Sequence, residues 1–357
     1  MYDVNGSVSK PYISVIITAH NREKYLKEAI QSVLNQTLNR SLYEIIVVKN
    51  FENQEIDELI RKNEIINLKS ELNSLVGEDL ALGIEKAKGE IVCFLDDDDL
   101  FLPNKLKVVH DYFIEYKDLA YFHNAEYFID ENGTEVKFWV KDLNKNITLN
   151  KLENLNQILE IDKYGLSFNM SSICIRKNKI IPYIDKLTKI NAAPDFFIFF
   201  ISTLDTPNLI ILSKEKLTKY RVHQSASNHL YNNKEEFINN FIKDKYNSLK
   251  SMELLNSIVK NNEYKSFINY KIIYLKIQLY FIGKYKYLNF KDLFLESQIY
   301  LKLKSMEYIK ITIYYNILFI LSKIFNYQIN EFYSKRLFKF IKNNLNNYLD
   351  LNKSSKQ

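Results

Sequence analysis

The 357-residue chain is short of the residues that crosslink or interrupt a fold, with 7 glycines, 5 prolines, 2 cysteines and 1 tryptophan. Two cysteines are too few for a disulfide framework or a four-ligand zinc site. Both stand in apolar runs, Ile91-Val-Cys93-Phe-Leu95 and Ser172-Ile-Cys174-Ile175, where a thiol acts as a small hydrophobe. Scarce glycine and proline leave long regular elements uninterrupted. Met1 to Lys10 hold no apolar stretch of the secretory kind, so a cytoplasmic location is expected. Sequons such as Asn35-Gln-Thr37 are then coincidental. The most apolar window, Ile311 to Leu321, is flanked by Lys310 and Lys323 and is shorter than the roughly 20 residues a membrane-crossing helix needs.

Aromatic residues are plentiful instead, with 26 tyrosines and 23 phenylalanines. Hydrophobic residues form 46% of the chain and charged ones 26%, which excludes a disordered protein, and the length suits one large α/β domain with an accessory region. The net charge of +6 is unevenly spread. Residues 230–357 carry 21 basic and 10 acidic residues, a balance of +11, so residues 1–229 stand at −5. The chain is read as a catalytic domain over 1–229 followed by a basic, aromatic-rich, all-helical region over 230–357. The basic region points to an acidic partner. An anionic membrane surface fits its interleaved tyrosines, whereas no recognition motif accompanies the charge and no nucleic-acid partner is expected.

The first hundred residues alternate in period. Ile13 to Ile17, Glu44 to Val48, Ile65 to Leu68 and Glu90 to Leu95 read as strands, separated by helical spacing over Tyr25 to Leu34, Ile56 to Ile60 and Gly77 to Lys88. Gly89 is expected to close the last of these helices in a left-handed conformation. Such alternation predicts a mostly parallel sheet flanked by helices, whose ligands bind beyond the carboxyl ends of its strands.

Asp96-Asp97-Asp98-Asp99 follows directly on the fourth strand, at the end where ligands bind. A bare Asp run is commonly a solvated turn. Four carboxylates beside a buried strand repel one another, however, and call for a hard divalent cation such as Mn²⁺ or Mg²⁺, which such carboxylates share with substrate phosphates.

Four ordered segments carry a resemblance: Ile13-Ser-Val-Ile-Ile-Thr-Ala-His-Asn-Arg22, Ser32-Val-Leu-Asn-Gln-Thr37, Gly83-Ile-Glu-Lys-Ala-Lys-Gly-Glu90 and Phe94-Leu-Asp-Asp-Asp-Asp-Leu100. Together they resemble the family 2 glycosyltransferases of GT-A fold. The resemblance implies an inverting enzyme that uses a nucleotide-diphospho-sugar and a metal held by a DXD motif. It implies Asp98 as a direct metal ligand, Asp96 near both metal and donor ribose, Asp97 beside the donor, and Thr18, Ala19 and His20 along the nucleotide. Two departures stand out. Where the family has an Asp-Asp-Gly-Ser-like turn this chain has Lys49-Asn50-Phe51-Glu52, leaving Asn50 to meet the base through its amide oxygen. Where many relatives carry an Arg-Asn pair it has Leu80-Ala81.

Inversion requires a carboxylate to take the proton of the attacking hydroxyl. Asp195, opening the apolar run Phe196 to Phe200 after Pro194, matches the family's base-bearing segment; the plain alternative is an acidic residue favoured by the helix dipole. Tyr220-Arg-Val-His223 resembles a family segment whose histidine completes the metal shell or binds the diphosphate. Asn169, Ser171 and Ser172 match the region where relatives contact the acceptor, although such residues also serve simply as turn formers. The acceptor is expected to be a glycan, or a lipid-linked or membrane-associated molecule. A nucleotidyltransferase would need a glycine-rich loop where Thr18-Ala-His-Asn21 has none. The remaining alternative is a sugar-nucleotide-binding protein or scaffold without transfer activity.

Overall fold

The structure, a computed structural model, describes residues 10–136, 142–150, 167–204, 208–223 and 234–282, with single positions between 157 and 165 and between 317 and 339. Met1 to Ser9, the window 311–321 apart from positions 317 and 319, and the expected boundary between 229 and 230 lie outside the described residues. The chain falls into two compact units, Met1–Leu152 with Ile161–Val222, and Glu153–Glu160 with His223–Gln357.

The first unit runs β1 (Ile13–Ala19), α1 (Leu26–Leu34), β2 (Tyr43–Lys49), α2 (Gln54–Lys62), β3 (Ile66–Lys69), α3 (Val76–Lys86) and β4 (Ile91–Asp96). It continues through β5 (Leu100–Phe101), α4 (Lys105–Glu115), β6 (Leu119–Ile129), β7 (Glu135–Val136), β8 (Ile147–Leu149), β9 (Ile173–Arg176), α5 (Ile184–Leu187), α6 (Pro194–Ser202) and β10 (Leu209–Arg221). One sheet takes the order β3-β2-β1-β4-β9-β6-β10-β5, with β7 added to β6 and β8 to β10. The longest ladders are parallel, β1 with β2 and β4, and β6 with β10. The short strand β9 runs antiparallel between β4 and β6 and joins the two halves.

The β-branched residues of β1 explain its central place, since a strand buried on both faces reads as a continuous apolar run. Ile13, Val15 and Ile17 face a core shared with Leu26, Ala29, Ile30 and Val33 of α1 and with Leu106, Val109 and Phe113 of α4. Ile16, on the other face, meets α3, where a side chain at Gly83 would collide with it. The sheet is therefore flanked by helices on both faces, and each fully buried Ile or Val contributes roughly 1.5–3 kcal/mol. Cys93 and Cys174 are buried, unlinked and opposite each other across β4 and β9.

Gly89 departs from expectation. Ala87 caps α3, and Gly89 has no left-handed backbone. It is glycine because an added Cβ would lie 2.6 Å from the Ser14 backbone nitrogen, and its own N–H donates to Ser14 Oγ at 2.8 Å.

The second unit contains α7 (Lys234–Ile258) and α8 (Asn262–Phe281), which pack against each other. The Asn261 side chain accepts from the Glu263 and Tyr264 N–H groups at 2.8 and 3.1 Å and so starts α8. Ile273, Ile277 and Phe281 form a small core with Phe319 and Tyr333. No helix among the described residues is long and apolar enough to cross a membrane.

Candidate active site

The parallel register brings three strand ends together. Thr18 lies beside Val48 of β2 and Asp96 of β4, and Ala19 beside Lys49. The chain then turns away through Asn21, whose φ of 54° is left-handed. Asn50 holds this turn: its Oδ1 accepts the Asn21 N–H at 2.8 Å and its Nδ2 donates to Asn21 Oδ1 at 3.0 Å. The same Nδ2 lies 3.4 Å from His20 Nε2, while His20 Nδ1 is 3.3 Å from Asp79 Oδ2. Ser74 Oγ in turn donates to Asp79 Oδ1 at 2.6 Å. Thr18, Ala19, His20 and Asn50 thus share one edge of the sheet, and the Asn50 amide is spent on the loop after β1. Asp79 is an unforeseen partner; an acidic residue in the first turn of α3 is otherwise explained by the helix dipole alone.

The four aspartates diverge at the end of β4. Asp96, Asp98 and Asp99 offer carboxylate oxygens all within 4.8 Å of one another. Asp97 turns toward Arg22, whose Nε donates to Asp97 Oδ2 at 2.8 Å while Nη2 lies 2.7 Å from Asp98 Oδ2. Below the turn, the buried Arg221 donates from Nε to the Asp98 carbonyl and from its backbone N–H to Asp99 Oδ1, both at 2.8 Å. Its Nη2 reaches Glu28 at 2.8 Å, and the guanidinium lies over the Tyr25 ring. The signal for Arg221 lies in its strand and not in the Asp run, 122 residues away in sequence.

Burial pushes the Asp96 carboxyl up to about 8, with Asp98 and Asp97 adding repulsion and Arg22 opposing them. Burial also raises Asp97, against its bond to Arg22, and raises Asp99 far above the carboxylate range, with Asp98 and Asp96 adding to it. Arg22 loses by burial, but Asp97 and Asp98 more than restore its charge. Asp99 Oδ2 is buried and has no hydrogen-bond partner among the described residues. A close set of hard oxygen donors with one orphaned atom fits a divalent cation such as Mn²⁺ or Mg²⁺. Asp96 and Asp98 stand in this set, and Asp99 joins them. His223 is buried and belongs to the second unit.

Asp195 occupies the first turn of α6, behind Ala193 in a left-handed conformation and Pro194. Its Oδ1 accepts the Phe196 N–H at 2.8 Å, and the Asn169 N–H also donates to the carboxylate. The apolar helix explains its titration: burial raises the carboxyl to about 6, against those hydrogen bonds. It is close enough to add to the repulsion on Asp96. Ser171 and Ser172, expected at the acceptor, are fully buried and turned to internal bonds. Ser171 Oγ accepts the Asp96 N–H at 3.0 Å, and Ser172 Oγ lies 3.3 Å from Asn169 Nδ2.

The chain matches the description "Glycosyl transferase family 2" over residues 14–173. It is 30% identical over 226 residues to an uncharacterised glycosyltransferase of Methanocaldococcus jannaschii, covering 61% of this chain and 73% of that protein. It is 34% identical over 112 residues to the minor teichoic acid biosynthesis protein GgaB of Bacillus subtilis, a match covering 29% of this chain and 12% of that protein. In fold it is similar to S. aureus TarS 1-349, crystallised in complex with UDP, with a TM-score of 0.53 at 16% identity over 90% of this chain and 91% of that one. The chain belongs to glycosyl transferase family 2, with a GT-A type α/β fold.

Proposed function

We propose that this glycosyltransferase moves a sugar, with inversion, from a nucleotide-diphospho-sugar to an acceptor hydroxyl in glycan or glycolipid assembly. The observation that carries the reading is the aspartate group that ends β4, where Asp96, Asp98 and Asp99 bring carboxylate oxygens within 4.8 Å of one another. Asp195 takes the acceptor proton as the hydroxyl attacks the anomeric carbon, and a base titrating just below neutral suits that step. Asp96, Asp98 and Asp99 would hold Mn²⁺ or Mg²⁺. When bound, the ion supplies positive charge against the leaving diphosphate. Thr18, Ala19 and His20 line the nucleotide, Asn50 holds the loop after β1 beside them, and Asp97, fixed by Arg22, borders the sugar. UDP, present in the TarS complex of the same fold, is the first nucleotide to try.

We place the protein in the cytoplasm, with the basic residues of 230–357 resting on anionic lipid so that the acceptor is reached at the membrane. A panel of nucleotide sugars, scored by thermal shift and by donor hydrolysis with Mn²⁺, Mg²⁺ or chelator, tests the catalytic reading. Metal-dependent stabilisation and turnover by one donor are expected. Binding of a nucleotide sugar with no turnover would instead support a binding protein or scaffold.

A further inference from the structure

Among the described residues, four that are not glycine have positive φ: Asn21, Glu64, Asn169 and Ala193. Three of them border the site. Asn169 is the most unusual, with φ 66° and ψ 106°, a conformation that L side chains adopt only when their surroundings hold them there. It is buried, with its carbonyl and both side-chain polar atoms engaged. The side-chain Oδ1 accepts the Ser171 N–H at 2.9 Å and the backbone carbonyl accepts the Ser172 N–H at 3.0 Å, closing the turn Met170–Ser172. Nδ2 lies 3.3 Å from Ser172 Oγ, and the backbone N–H donates to Asp195.

The turn reaches the metal carboxylates from the other side. Ser171 Oγ accepts the Asp96 N–H at 3.0 Å, while the Ser171 carbonyl accepts from Thr218 Oγ1 at 3.0 Å and from Lys105 Nζ. Lys105 Nζ also lies 2.9 Å from Thr218 Oγ1, so the turn rests on a buried polar brace between α4 and β10. Asn169 is therefore one hydrogen bond from Asp195 and two from Asp96.

We propose that Asn169 is a positioning residue whose strained backbone and side-chain cap together fix Asp195 relative to Asp96. This rests on the glycosyl-transfer reading, in which Asp195 must meet the acceptor hydroxyl while Asp96 and its neighbours face the donor diphosphate. Two carboxylates with different tasks need a fixed separation, and a misplacement of 1 Å costs about 10²-fold in rate. Asparagine suits the position because it tolerates positive φ better than most side chains and its amide holds Ser171.

Substitutions separate the two devices. Asn169→Gly keeps the backbone conformation without strain and keeps the N–H on Asp195, but releases Ser171. Asn169→Ala releases Ser171 and also drives the backbone away from positive φ. Full-length wild type and both variants are compared in two ways. The first is kcat and donor KM for hydrolysis of the best nucleotide sugar, at a temperature where all are folded. The second is the titration midpoint of the Asp195 carboxyl in metal-free protein, read by NMR after ¹³Cγ-aspartate labelling and assigned with Asp195→Asn.

The expected result is a fall in kcat of about tenfold for Asn169→Gly and of about 10²-fold for Asn169→Ala, with donor KM little changed. The Asp195 midpoint rises in Asn169→Ala and stays near wild type in Asn169→Gly. Wild-type kcat in Asn169→Gly overturns the proposal, as do equal midpoints in all three proteins. A loss of thermal stability with unchanged kcat would mean a purely structural role. If wild type turns over no nucleotide sugar with either ion, the transfer reading fails, while the NMR midpoints still decide whether Asn169 governs Asp195.

Discussion

Arg22 Nη2 lies 2.7 Å from Asp98 Oδ2, and the same guanidinium is hydrogen-bonded to Asp97. A single side chain from the loop after β1 thus binds two consecutive carboxylates at the end of β4. The pairing makes a run of four aspartates compatible with a folded chain, because partly desolvated carboxylates need a cation close by. A divalent ion held by the proposed aspartate group would therefore meet the Arg22 charge at Asp98.

Arg22→Gln should consequently tighten the binding of Mn²⁺ alone, since the ion no longer meets a fixed positive charge. A coupling of about 1–3 kcal/mol corresponds to about 5–150-fold in affinity. Calorimetric titration without donor measures it, and an unchanged or weaker affinity would show that Arg22 does not compete. Melting without added metal should occur at a lower temperature in this variant, because the carboxylates lose their counter-ion.

Asp98→Ala should abolish metal-dependent nucleotide binding and leave the fold intact. The side chain makes no contribution to the core, and its loss relieves repulsion on Asp96 and Asp99. Titrating UDP in the presence of Mn²⁺ decides the matter; affinity equal to wild type would remove Asp98 from the site.

The first four strands and the α1 stripe were legible because each is written in a local period, and the Asp run because its position at a strand end carries chemistry. What was not legible depends on distant pairing. Arg22 meets an aspartate 75 residues away, and Arg221 reaches the same turn from 122 residues away. β6 and β10 form the long parallel ladder of the second half across about ninety positions, with irregularities in register that no local pattern announces. Ser171 and Ser172 match a region where relatives contact the acceptor and otherwise suit a turn, yet here they are buried and Ser171 Oγ accepts the Asp96 N–H. Gly89 illustrates a related ambiguity. A glycine after a helix suits a left-handed cap or a close approach of two backbones, and only the neighbouring strand distinguishes them.

The +11 balance of residues 230–357 carries a prediction for the full chain. Each lysine near an anionic bilayer contributes about 1 kcal/mol, so four or five facing the surface give reversible attachment. Co-sedimentation with phosphatidylserine vesicles should be strong at low salt, weak at high salt and absent with purely zwitterionic vesicles. No sedimentation with anionic vesicles at low salt would defeat the membrane reading.

Asp195→Asn should separate activity from stability. The amide keeps the shape of the carboxylate and its bond from the Phe196 N–H, but it cannot take a proton, so transfer should fall by about 10²–10⁴-fold with donor affinity retained. Wild-type transfer should rise with pH through about 6 as Asp195 ionises, and this ascending limb should vanish in the variant. Stability runs the other way. The folded-state value is raised from the ordinary 3.8 to about 6, so the folded protein holds this proton more tightly than the unfolded chain does. The stabilising contribution is complete below about pH 4 and is lost as pH rises through about 6. Above that, ionised Asp195 costs no more than about 3 kcal/mol, and less where solvent reaches this half-buried residue. Asn carries no such cost, so the variant should unfold at higher denaturant concentration than wild type at pH 7–8, with the gap closing near pH 4. Denaturant melts at the two pH values measure it. A variant no more stable than wild type at neutral pH would show that Asp195 is not held in a desolvated, catalytically tuned state.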